Sequence, residues 1–509
     1  MQSFFRCTTA LVCALSLAAA GREGGQRVRV SAKSLRDDIR YLASPELAGR
    51  GTGTPGLAKA AEYIAQQYAR AGLKPLNGAY EQPFPVTMEA SLGSRNSMSC
   101  ESCGSDTELQ ISRDFVPLSF SGSGTVSAQL VFAGYGITAP EYDYDDYAGI
   151  DANGRVVIIL RHEPQEYESA SAFEGRIYTE HSQMYRKALN AKAHGAAAIV
   201  FVNDTANHSG PNPLEPFSSL VAPGSAGIPF IHVHSDEVDK WFIQAGRNFR
   251  EAQSGIDAGL QPASFSFPES MRITLTADVA NRQQTVANVV GYVPGTTGEY
   301  IVIGAHYDHL GLGEQYSLAP DQTGTIHPGA DDNASGTAAL LSLANWFGSH
   351  PKMKRGVLFI AFAGEEIGLL GSTHYTTHPL LPLSDAVAMI NMDMIGRLRE
   401  KKLTVGAASS GQGFRALLAS LAREFPLDLQ TDDQAVYGSS DHTTFQARQI
   451  PSLFFFTGLH ADYHRPTDTA DRIEHTAVAH VAEFVGTVAR ELAQRPDRIR
   501  PVNRPLATQ

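Results

Sequence analysis

At 509 residues the chain is too long for one ordinary domain, and two or three are expected. A hydrophobic fraction of 43% with 18% charged residues suits globular domains with real cores. The net charge of −12 argues against a nucleic-acid partner, because phosphate binding needs a basic surface.

Residues 1–20 read as a signal peptide. Arg6 is the only charged side chain before Arg22, and an apolar run from Ala10 ends in the small residues Ala18-Ala19-Ala20-Gly21. The run is too short to span a bilayer, and the apolar segment before Cys13 is too short for a lipoprotein signal. No later segment is long and apolar enough to cross a membrane, so a secreted or periplasmic protein without a membrane span is expected. Cleavage would remove Cys7 and Cys13 and leave Cys100 and Cys103, spaced Cys-Glu-Ser-Cys in a Ser/Gly-rich stretch. In an oxidising compartment these two favour a local disulfide. A structural metal would need a second pair, and a redox motif would need a strand-to-helix setting.

Residues 33–75 carry a helical pattern, with Leu57, Ala61, Ile64 and Tyr68 on one face and Gly72 and Pro75 as stop signals. The preceding Gly51-Thr52-Gly53-Thr54-Pro55-Gly56 matches a dinucleotide fingerprint in letters only. Ser44 to Arg50 does not read as the strand that fingerprint requires. Residues 84–115 are polar and read as loop. Residues 116–283 read as a separate β-rich domain, with strands at Ala128 to Phe132, Val156 to Leu160, Ala196 to Val202 and Ile228 to Val233 and a helix at Met184 to His194. No tight cluster of histidines and carboxylates is expected there. His162-Glu163 opens a zincin-like motif, but Glu166 stands where its second histidine belongs.

From Val286 the pattern is α/β. Tyr300 to Ala305, Val357 to Ala363, Val387 to Met392 and Ser452 to Phe456 are short apolar runs of the kind found in buried strands of a mainly parallel sheet. A helix is expected at Gly336 to Phe347, and the Pro- and Arg-rich residues 496–509 are expected to fray. Polar residues cluster where these strands end: His306-Tyr307-Asp308-His309, Gly364-Glu365-Glu366, Asn391-Met392-Asp393, Asp462-Tyr463-His464, and the loop Gly329 to Gly336 with Asp331 and Asp332. Open α/β sheets bind ligands at the carboxyl ends of their strands. Burying Glu365, Glu366 and Asp393 behind apolar strands is costly without cations, and only Arg397 lies near them in sequence. Histidines and carboxylates without cysteine suit zinc or a similar divalent ion, and such sets build two-metal hydrolytic sites.

Together these five segments resemble the M28 family of co-catalytic zinc peptidases. The resemblance implies a mixed, mainly parallel α/β sheet flanked by helices (the zinc exopeptidase fold). It has an N-terminal part at 30–115, an inserted β-rich protease-associated (PA) domain at 116–283, and a catalytic unit at 284–495. It implies two zinc ions: His306 and Asp393 on one, Glu366 and His464 on the other, and Asp332 bridging, with Asp331 only a neighbour. Asp308 would orient His306. Glu365 would act as general base toward a metal-bridged hydroxide, and Tyr463 would stabilise the oxyanion. His309, His327, His374, His442 and His460 then fall outside the ligand set. Gly438-Ser439-Ser440-Asp441-His442 lacks the nucleophile elbow of a serine hydrolase. The resemblance further implies a metallo-aminopeptidase acting on peptide or protein N-termini. A carboxypeptidase, another amide hydrolase or cyclase on the same scaffold, and a receptor-like binding protein without catalysis are the alternatives.

Overall fold

The computed structural model describes residues 27–502 apart from 105–107, 174, 176–177, 209, 218–224 and 433–439; the expected signal peptide lies outside the described residues. Two large sheets organise the chain. The first has eight strands, in the spatial order Glu81–Leu92, Val279–Val293, Gly356–Phe362, Tyr300–His306, Ala386–Met392, Ser452–Phe456, Lys402–Gly406 and Asp428–Thr431. Its central strands Gly356–Phe362, Tyr300–His306, Ala386–Met392 and Ser452–Phe456 pair in parallel, while the flanking pairs toward Glu81–Leu92 are antiparallel. This is the mixed α/β fold expected. The four central strands are buried along nearly their whole length, which is why their sequences are continuous apolar runs.

Helices Ala32–Leu42, Pro55–Arg70, Gly336–Gly348 and His475–Gln494 contribute to one contiguous core with this sheet. Helix Pro55–Arg70 begins as its sequence dictates, with Thr54 capping the Leu57 amide and Pro55 in the first turn. The glycines before it serve close backbone packing. Gly51 bridges to His309, and the His309 and Gly311 amides donate to the carbonyls of Arg50 and Gly49 at 3.1 Å each. A Cβ on Gly51 would meet the Gly311 Cα at 3.1 Å.

In residues 84–115, expected as loop, lie most of strand Glu81–Leu92 and all of strand Ser97–Glu101. The first alternates buried and exposed residues, and Pro83 and Pro85 mask it in sequence. It can hold prolines because it is an edge strand, where a missing donor costs no ladder bond. The second joins the nine-stranded second sheet, so that sheet draws on residues before 116.

The second sheet centres on Gly124–Phe132, Val156–Leu160, Ala198–Val202 and Phe230–Val233, all parallel where they pair. Cys100 and Cys103 are joined in a disulfide within it. Of residues 496–509, expected to fray, 503–509 lie outside the described residues, and 496–502 are held: Ile499 is buried, Arg498 donates to the Ser384 and Ala386 carbonyls, and Pro501 bridges Gly411. No helix among the described residues is long and apolar enough to cross a membrane.

Candidate metal centre

The parallel strands bring the five polar segments together at their carboxyl ends. His306 is the last residue of Tyr300–His306, Asp393 follows Ala386–Met392 directly, and Glu365 and Glu366 follow Gly356–Phe362 by three and four residues. Around His306 Nε2 lie Asp393 Oδ1 at 3.2 Å and Asp332 Oδ1 at 3.3 Å. Around His464 Nε2 lie Glu366 Oε2 at 3.0 Å and Asp332 Oδ2 at 3.3 Å. The two oxygens of Asp332 therefore face two different imidazoles. All five expected ligands converge.

Asp331 turns away from this cluster. Its carboxylate accepts from the Gly396 amide at 2.6 Å and from Ser335, and faces His460 at 3.1 Å. Glu365 Oε2 comes no closer than 3.9 Å to His306 Nε2 and belongs to neither ligand group. The Asp308 carboxylate accepts from the Glu365 and Glu366 amides, at 3.1 and 3.3 Å, and from Thr52. The closest acceptor to His306 Nδ1 is the Asp308 carbonyl oxygen at 3.2 Å, with the carboxylate at 3.7 Å. Tyr463 is half-buried and stacks on the His464 ring at 3.9 Å. Burial, with Asp332 and Glu366 nearby, raises its phenol pKa, so it stays protonated.

The electrostatics are those of a cation site. Among the described residues, Asp332, Glu365, Glu366 and Asp393 pair with no lysine or arginine. Burial opposes a charged imidazole at His306, yet Asp393 and Glu365 raise its pKa well above the ordinary value. At His464 burial is likewise outweighed, by Asp332 and Glu366, and the pKa rises to about 11. Burial pushes Glu365 well above the usual carboxylate range. The carboxylates thus strongly attract positive charge to both Nε2 atoms. His464 Nε2 is buried without a hydrogen-bond partner despite its two close carboxylate oxygens, as expected when donors aim at a common point rather than at each other. Imidazoles and carboxylates in this arrangement fit divalent zinc.

Several contributors were missed in the sequence. His309 Nδ1 lies 2.6 Å from Glu366 Oε1 and 3.7 Å from Asp332 Oδ2, and it forms a potential ligand trio with them. Its spacing three residues after His306 was the available signal. Ser440 donates to Asp393 Oδ2 at 2.9 Å, and Asn391 donates to Ser440. Asp468 Oδ2 accepts from the amides of Asp331 and Asp332, at 2.8 and 3.1 Å. Arg50 is fully buried and donates to the carbonyls of Tyr307, Pro328 and Gly329 at 2.8–2.9 Å and to that of Leu42. The remaining histidines stand outside the site: His327 bonds Ser317, His374 stacks on Phe84, and His442 stacks on Phe454 with burial lowering its pKa to about 3.

Residues 288–489 match the model of peptidase family M28, and residues 126–241 match that of the PA domain. Residues 288–489 are thus similar to peptidase family M28. The aminopeptidase YwaD of Bacillus subtilis (strain 168) is 25% identical over 410 residues, 77% of this chain and 74% of YwaD. A probable leucine aminopeptidase of Arthroderma otae is 28% identical over 265 residues, 49% of this chain and 71% of that protein. Among solved structures, an aminopeptidase from Aneurinibacillus sp. strain AM-1 aligns with a TM-score of 0.49 at 24% identity, over 93% of this chain and 97% of that one. The M28 match covers all the converging segments, and the PA match lies within the second sheet.

Proposed function

We propose that this protein is an exported aminopeptidase of the M28 type that holds two zinc ions and removes residues from free N-termini. The observation that carries the proposal is the shared Asp332, whose two oxygens face His306 on one side and His464 on the other. His306 and Asp393 would hold one ion, Glu366 and His464 the second, and Asp332 both. When bound, the ions supply Lewis acidity to the scissile carbonyl and to the attacking water. Glu365 takes the water's proton and delivers it to the leaving amine. Its amide is fixed by Asp308, so the base keeps its place while its carboxylate remains outside the ligand groups. Tyr463, protonated beside His464, donates to the oxyanion that develops.

Terminus selection follows from charge. Glu365, whose carboxylate lies outside the ligand groups, would welcome an α-ammonium and repel a C-terminal carboxylate. Opposite charges a few Å apart gain roughly 1–4 kcal/mol at partly solvated sites. The similarity to proteins named aminopeptidases supports the same end of the substrate. Export rests on the apolar run from Ala10 to Ala20. The test is hydrolysis of matched peptides, free or N-acetylated, with and without a chelator. Free peptides should lose residues stepwise from the N-terminus, chelation should stop this, and zinc should restore it. Equal cleavage of acetylated peptides, or release from the C-terminus, would sink the assignment.

A further inference from the structure

The second sheet carries a cluster not expected from its sequence, and no family match assigns it a role. Strands Val156–Leu160 and Ala198–Val202 run parallel and adjacent. The loops that leave their carboxyl ends bring His162, Glu166, Asp204 and His208 together, with one donor atom from each within 4.8 Å of the others. His162 Nδ1 lies 2.9 and 3.1 Å from the two oxygens of Asp204 and 3.6 Å from Glu166 Oε2. His208 Nε2 lies 2.7 Å from Glu166 Oε1 and 3.6 Å from Asp204 Oδ2. Each loop contributes one histidine and one carboxylate four residues apart.

We infer that these four side chains form a third metal site, separate from the peptidase centre, that takes a zinc-class divalent ion. A plain ion-pair cluster accounts less well for two features. The side chains of Asp204 and Glu166 are only 1% and 2% exposed, and among the described residues neither pairs with a lysine or arginine. Arg161 is engaged by Glu215, and Lys187 donates to the carbonyls of Tyr135 and Leu160. In addition, Glu166 Oε1 is buried and makes no hydrogen bond, although His208 Nε2 is so close. His162 bonds Asp204, yet that pairing leaves Glu166 Oε1 unsatisfied among crowded donors, an arrangement that suits a shared central partner. Two imidazole nitrogens and two carboxylate oxygens are a tetrahedral zinc donor set, whereas calcium and magnesium favour oxygen alone. Two carboxylates also neutralise a dication. Outer contacts orient the set: Tyr178 donates to Glu166 Oε2 at 2.8 Å and stacks on His162.

The ion would pin the two loops to each other. The site does not depend on the peptidase proposal, and its test is independent of catalysis. Full-length protein and the variant His208→Ala would be equilibrated in a zinc buffer, desalted and analysed for zinc per chain. His208 is 41% exposed, so its removal disturbs packing least. Asp204→Asn is measured beside it, so that two different ligands are tested. The wild type should hold one more equivalent of zinc than either variant, and His208→Ala should keep its peptide hydrolysis. Equal zinc content in the wild type and a folded variant would overturn the site, whatever the peptidase centre contains.

Discussion

Replacing Arg50 with methionine should destabilise the peptidase unit by about 3 kcal/mol or more. The guanidinium donates to four carbonyls, those of Leu42, Tyr307, Pro328 and Gly329. Hydrogen bonds from a charged donor contribute roughly 1.5–3 kcal/mol each, so four at the lower figure amount to about 6 kcal/mol. Burial of the charge works the other way. It draws the guanidinium pKa down to about 10, which corresponds to roughly 3 kcal/mol. Methionine removes that cost but leaves the carbonyls without a donor. Three of the carbonyls, those of Tyr307, Pro328 and Gly329, lie in the segments that carry His306, Asp308 and Asp332, so metal affinity should weaken as well. Urea denaturation reads the stability directly. With a slope of ~1–3 kcal/mol per molar, the midpoint should fall by roughly 1–3 M. A midpoint within about 0.3 M of the wild type would show that Arg50 does not tie the N-terminal segment to the catalytic loops.

Two further substitutions probe the site itself. Ser440→Ala removes the hydroxyl that donates to Asp393 Oδ2; zinc affinity, read by competition with a chromogenic chelator, should fall about 10–100-fold. Tyr463→Phe keeps the ring stacked on His464 but removes the phenol. Its kcat should drop about 10²–10³-fold with KM little changed, and an equal loss in 1/KM would assign Tyr463 to ground-state binding instead.

The central strands were legible because burial on both faces writes itself as an unbroken apolar run, and polar residues at the ends of such runs have few structural explanations. Edge strand Glu81–Leu92 was not legible, because its alternation is interrupted by prolines that only an edge position tolerates. Asp332 could be told from Asp331 only through the family resemblance; the geometry separates them by which hydrogen bonds each one makes. Arg50, Ser440 and Asp468 act on backbone or on another side chain from distant points of the chain, and such contacts leave no local pattern. The cluster at His162 is a similar case. Its two half-sites are each an unremarkable pair, and only the parallel register of their strands joins them.

The adjacent glutamates test the site most directly, since one is proposed to move a proton and the other to hold metal. Glu365→Gln and Glu366→Gln would each be assayed for bound zinc and for kcat on a free peptide. Glu365→Gln should keep the wild-type zinc content while kcat falls about 10²–10⁴-fold, because an amide cannot accept the proton. Glu366→Gln should lose zinc, since its oxygens face both His309 and His464. Zinc loss in Glu365→Gln with full retention in Glu366→Gln, or undiminished turnover by Glu365→Gln, would contradict the assignment.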